Sequence, residues 1–147
     1  MSRSTKVKFP LVDDPLGIEA EWMWATPLGN GMYELDNSPF HAYGLSYKDR
    51  FSASLVNGVL QFSKVEQKSG HRTIRVRLPV GESHKDFERI WAALGDVKCT
   101  FEGSQIERPL YSVDIPPGID ADRLLQCLSA LEDKGVLEYE EADFFLP

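Results

Sequence analysis

The chain has 147 residues, with 16 Lys and Arg against 23 Asp and Glu, a net charge of −7 and 42% hydrophobic residues. That length allows one domain or two very small ones, and the apolar share supports a packed core and excludes wholesale disorder. No apolar run approaches the ~20 residues that span a bilayer, and a pI of 4.9 argues against nucleic acid, whose phosphates need clustered Lys and Arg.

The charge is segregated. Residues 1–78 hold ten basic and eight acidic residues, a balance of +2, whereas residues 79–147 hold six and fifteen, a balance of −9. Such a field steers basic partners toward one half. The polar start Met1-Ser2-Arg3-Ser4 has no apolar signal-peptide segment behind it, so a cytoplasmic location is expected. Cys99 and Cys127 lie far apart within apolar patterns and read as buried thiols.

In chain order, Val7, Phe9 and Leu11 alternate with polar residues and Pro10 as a half-buried strand does. Glu19–Ala25 continues that pattern with Trp22 and Trp24 on one face; Leu28–Gly31 is a turn and Met32–Leu35 a returning strand. Asn57-Gly58, between Phe51–Leu55 and Val59–Val65, is the strongest hairpin signal, because a twisted two-residue turn requires positive φ at both positions. These short strands predict a β-rich small barrel or curved sheet over residues 1–70.

The second half changes character. Thr73–Leu78 alternates as a strand. Ser83 with Asp86 opens a helix whose stripe is Phe87, Ile90, Trp91 and Leu94, ended by Gly95. Val97, Cys99 and Phe101 predict a strand, as do Tyr111, Val113 and Ile115 before Pro116-Pro117-Gly118. Asp120 caps a second helix with Leu124, Leu125, Leu128 and Leu131 inward; Gly135 ends it, and Val136–Tyr139 begins a last strand. This βαββαβ order is ferredoxin-like, so the chain is expected to be α+β, with residues 71–147 as the second part. Lys68-Ser69-Gly70 marks the boundary, with no long linker, and the two parts can fold as one unit.

Asp36-Asn37-Ser38-Pro39-Phe40, Ser69-Gly70-His71-Arg72-Thr73 and Tyr111–Pro117 together resemble a bacterial family catalogued as domain of unknown function 4265. The resemblance runs from the Phe9 strand to the Tyr139 strand. It implies no activity, cofactor or site residue. By size and charge alone, the chain also looks like immunity proteins of contact-dependent toxin systems.

Two constellations stand out. Glu132, Asp133, Glu138, Glu140, Glu141 and Asp143 precede Phe144 and Phe145, and apolar anchors ringed by charge are the anatomy of a tight interface. Acidic inhibitors of nucleases present carboxylates where the enzyme expects phosphates. A solvated face is the plainer account of the acids, and docking against the body that of the two Phe residues. His71, Arg72 and Arg75, with Arg77, form the one dense basic cluster; they could hold an anion, with His71, His41, Asp36 and Asp49 available for acid–base work, although a paired strand face is the plainer account of the arginines. There is no Gly-rich phosphate loop, nucleophile elbow or dinucleotide fingerprint, and three His and two Cys lack metal-ligand spacing. No cofactor, metal or catalytic residue is therefore expected. The expected function is a non-enzymatic binding protein, monomer or weak dimer, that neutralises a basic, nuclease-type toxin domain. The alternative is an enzyme or ligand-binding module acting on an anionic substrate through His71 and Arg72.

Overall fold

Residues 3–104 and 109–144 are described by a computed structural model. Five strands, β1 (Thr5–Pro10), β2 (Ala20–Gly29), β3 (Met32–Leu35), β4 (Arg50–Val56) and β5 (Val59–Gln67), form a closed antiparallel meander that β5 seals by pairing parallel to β1 at Lys8 and Gln61. Period-two alternation does the sorting. Val7, Phe9, Met23, Ala25, Leu35 and Phe51 point inward and are buried, while Lys6, Trp22 and Trp24 line the outer wall. Inside, the Phe9 ring lies 5.1 Å from both Phe51 and Phe62. The β4–β5 hairpin turns at Asn57 (φ 51°) and Gly58 (φ 81°), the geometry expected of that dipeptide.

The second part follows as β6 (Arg72–Arg77), α1 (His84–Ala93), β7 (Thr100–Ser104), β8 (Leu110–Ile115), α2 (Ala121–Asp133) and β9 (Glu138–Asp143). Its sheet order is β7-β8-β6-β9, all antiparallel, which is the ferredoxin-like arrangement made by two interlocked crossovers. Both helices cover one face. Ile74, Val76, Leu78, Phe87, Val113, Ile115, Leu124 and Leu128 are buried there, and Phe87 stacks on Tyr111 at 3.6 Å. The class is therefore α+β, a barrel followed by a ferredoxin-like sheet. Two strands sit later than their apolar patterns suggest. Lys98 adopts φ 56° with its N–H bonded to Asp96, which breaks the chain before Thr100, so Val97 and Cys99 pack beside the core without joining β7. The last strand begins at Glu138, where Glu-Tyr-Glu-Glu hides its alternation under charge.

The 36–49 loop joins the two parts. Ala42 and Leu45 drop into the barrel core, whereas Ser38 and Ser46 turn toward the uncovered face of the sheet. That face carries Thr73, Arg75, Ser112, Asp114 and Asp143, all buried. The junction is thus polar throughout. Among the described residues, no buried side-chain nitrogen or oxygen lacks a partner.

Candidate functional site

The junction is built by two opposed charges that grip one stretch of backbone. Glu21, on β2, accepts the N–H groups of Phe40 (2.7 Å), His41 (3.0 Å) and Ala42 (2.9 Å). Arg75, on β6, donates to the Ala42 carbonyl (2.7 Å), and more weakly to Pro39 (3.5 Å) and His41 (3.4 Å). Ser112 adds a 2.6 Å bond to the Pro39 carbonyl. Pro39–Ala42 is therefore held from the barrel through its donors and from the sheet through its acceptors. Arg75 also pairs with Glu140 at 2.7 Å and lies 4.5 Å from the Tyr43 ring.

A second cluster locks the other end. Lys68 bridges Asp49 and Asp143; the Asp143 contact is 2.6 Å, and Ser46 links Asp143 to Thr73. Asp49 is fully buried and also accepts the N–H groups of Ser46 and Ser69. Beside it, His71 Nδ1 lies 3.0 and 2.9 Å from the two Asp114 oxygens, with the Tyr47 ring edge-on. Burial pushes the Asp114 carboxyl up; His71 pulls it down without cancelling the rise. Arg72 donates to the Ile119 carbonyl and lies against the Phe144 ring. Three members of the basic cluster picked out in the sequence, His71, Arg72 and Arg75, thus hold bonds inside the fold, while Arg77 lines a notch beside the loop. Arg75 is 2% exposed, and His71 and Arg72 hold structural bonds. Asp49 is in the lysine bridge and His41 lines the same notch as Arg77, and neither has a bond to the His71 ring among the described residues.

The acidic candidates divide in the same way. Asp143 is buried in the lysine cluster. Glu140 accepts from Arg75 and from the Tyr43 hydroxyl; burial pushes its carboxyl up, but those donors and Arg77 outweigh that and hold it below the ordinary range. Glu132 accepts the Tyr139 N–H, and the Gly44 N–H bonds the Ala142 carbonyl, so both ends of the free β9 edge are capped. Asp133, Glu138 and Glu141 are exposed, Phe144 packs against the helical core, and Phe145 lies outside the described residues.

Between the loop and the open end of the sheet lies a notch of 180 Å³. Arg77, Leu110, Glu138 and Glu140 form its floor, and Phe40, His41, Tyr43 and the Asp14–Leu16 turn its walls. The sequence places Arg77 in a basic cluster that could hold an anion, but nothing in it joins Arg77 to His41 or Tyr43. No motif marks them, because the notch exists only once the loop is folded over β6. Cys99 and Cys127 are free thiols; burial, with Asp114 nearby, pushes the Cys99 thiol up to about 11, which makes it a poor nucleophile. Among the described residues, no three His, Cys, Asp or Glu side chains converge as metal ligands, and no helix is long and apolar enough to cross a membrane.

Comparison with known proteins adds kinship and fold. A crystal structure of a hypothetical protein from Neisseria gonorrhoeae superposes with a TM-score of 0.80 over 99% of this chain and 98% of that one, at 21% identity, a likeness of fold. No curated protein matches the chain. The model of one family, Domain of unknown function (DUF4265), matches residues 21–139, a span that contains the gripped loop with Glu21 and Arg75, and Asp49, Lys68 and Arg77, but neither Glu140 and Asp143 nor the Asp14–Leu16 turn, and the chain belongs to that family.

Proposed function

We propose that this is a non-enzymatic binding protein whose acidic end recognises a basic protein partner. The observation that carries this reading is the placement of acids against the interest of the fold. Glu132 and Asp133 occupy the last turn of α2, where the negative end of the helix dipole repels carboxylates by ~0.3–1 kcal/mol each, and no basic residue lies in that turn. Glu132 recovers part of that through Tyr139; Asp133 makes no such bond among the described residues. Edge protection accounts for charge on β9 but not for acids at the helix end. Together with exposed Glu138 and Glu141, they form a patch at one end of a half carrying −9.

The finer reading is an immunity protein, acting in the cytoplasm, that occupies the phosphate-binding surface of a basic nuclease toxin. The test is a pull-down from the native bacterium with tagged protein at low and then high salt. The triple variant Asp133→Lys, Glu138→Lys, Glu141→Lys spares Glu140 and Asp143, whose bonds hold the fold. Near-equal recovery of one basic protein, lost in the triple variant, supports the reading. Recovery unaffected by the triple variant and by salt overturns the acidic interface.

A further inference from the structure

The notch differs from the rest of the junction in which groups are left unsatisfied. Its carboxylates are all engaged. Asp14 accepts the N–H groups of Leu16 (2.9 Å) and Ile18 (3.1 Å), Glu140 accepts from Arg75 and Tyr43 at 2.7 Å each, and Glu138 also has a partner. Of its nitrogens, those of Arg75 are engaged with Glu140 and the loop carbonyls, and the others are not. Among the described residues, neither the Arg77 guanidinium nor the His41 ring makes a hydrogen bond, although both line the notch. Spare capacity there is donor capacity, beside the apolar walls of Leu16, Phe40 and Leu110.

We propose that the notch is a binding site for an organic monocarboxylate, with Arg77 gripping the carboxylate and His41 adding a donor. A cation would meet the Arg77 charge, and Glu140 and Asp14 already accept bonds from the fold. Three carboxylates already line the site, so a dianionic phosphate would meet more repulsion than a single carboxylate, whose planar fork matches a guanidinium. Its 180 Å³ falls short of the ~300–1,000 Å³ of a drug-sized pocket, which limits the occupant to a small acid or the last residue of a polypeptide. This site uses Arg77 of the sheet and His41 of the loop, and it stands whether or not the acidic patch binds a partner.

The test is an amide-resolved NMR titration of the full chain with phenylacetate, with N-acetyl-Gly-Phe bearing a free carboxylate, and with the corresponding amide. Saturable shifts at 40–43, 77, 110 and 138–140 with both acids, and at least tenfold weaker binding of the amide, are expected. Tenfold tighter binding of the peptide than of phenylacetate would identify a chain terminus as the source; equal binding would identify a free acid. Arg77→Gln, which removes no hydrogen bond of the fold, should weaken binding by ~10–100-fold, the equivalent of one charge-assisted pair. Arg77→Lys should recover part of this. His41→Phe should weaken it ~3–10-fold, as loss of one donor does. No saturation by about 20 mM acid, where a site of even millimolar affinity fills, equal binding of the amide, or unchanged affinity in Arg77→Gln would each overturn the proposal.

Discussion

Arg75→Met removes the guanidinium that ties the loop to the sheet while keeping an unbranched chain of similar reach. Two of its bonds are short, 2.7 Å to Glu140 and 2.7 Å to the Ala42 carbonyl, and both are charge-assisted. At ~1.5–3 kcal/mol each they sum to roughly 3–6 kcal/mol, in line with the ~3–5 kcal/mol lost when one partner of a buried ion pair is removed. Bonds at 3.4–3.5 Å to His41 and Pro39 add little. Glu140 is 45% exposed on its side chain, so solvent screens its share and the lower end is expected, about 3 kcal/mol. That is a large fraction of the ~5–15 kcal/mol that holds a domain together. Urea unfolding of wild type, Arg75→Met, Glu140→Gln and the double variant gives the coupling between the two. The expectation is a coupling of ~1–2 kcal/mol, with most of the Arg75→Met loss surviving in the Glu140→Gln background because it comes from the carbonyls. Amide exchange should report the same event locally, with Phe40–Ala42 opening before the barrel unfolds. A loss under about 1 kcal/mol, or unchanged protection at those amides, would refute the idea that Arg75 holds the loop.

The Tyr43–Glu140–Arg75 network should define a pH window. Glu140 is held below its ordinary 4.5, so its contribution is present above that value and fades as pH falls through the folded pKa; Tyr43, raised above 10.0 chiefly by its bond to Glu140, contributes below that value and loses it as pH climbs through the raised pKa. Tyr43→Phe should remove the alkaline loss and shrink the acid one, and melting curves that keep both limbs unchanged would contradict this. Gly103→Ala should cost ~1–3 kcal/mol in urea unfolding through overpacking, because a Cβ there would sit 2.9 Å from Tyr111, whose ring is 1% exposed and stacked on Phe87; a loss below about 0.5 kcal/mol would mean that the ring yields. In a Cys127→Ser background, Cys99, with its thiol near 11, should alkylate ~100-fold faster at pH 10 than at pH 8, and a plateau by pH 9 would show that the thiol is not raised.

Most of the fold is legible in the sequence because its periodicities are clean. Asn57-Gly58 makes the hairpin, and Phe87, Ile90, Trp91 and Leu94 face the sheet as their spacing requires. The ferredoxin-like order also follows, since two crossovers of that length leave few ways to arrange four strands. The junction was harder to read. Arg75 on an alternating strand looks the same whether its face meets water or a folded loop, and Glu21 between Ala20 and Trp22 carries no mark of the three amides it will accept. Those partners lie about twenty residues away in sequence, beyond any local pattern. Lys68 reads only as a boundary residue, yet its bond to Asp143, beside its bond to Asp49, makes it part of the lock between the two halves.

The segregated charge takes on a different meaning once those bonds are placed. Of the acids in the second half that drew attention, Asp143 and Glu140 are bound to cations from residues 1–78, so part of the −9 is answered within the protein by Lys68 and Arg75. A junction made of buried ion pairs and hydroxyl bonds is weak evidence for stability, since apolar replacements of the same shape often do as well or better. Its advantage is a unique arrangement. The ladder of Ser38–Ser112, Ser46–Thr73 and Lys68–Asp143 is satisfied in one alignment of loop on sheet, whereas an apolar face would tolerate sliding. That fixed alignment matters at the notch, because Arg77 belongs to the sheet and His41 to the loop, and they share one cavity only while the loop is held in place. A binding surface assembled from two halves needs such a lock more than it needs extra stability. Arg75 also lines the notch, so Arg75→Met, under conditions where that variant remains folded, should weaken binding by ~3–100-fold, the range expected for the His41 and Arg77 substitutions.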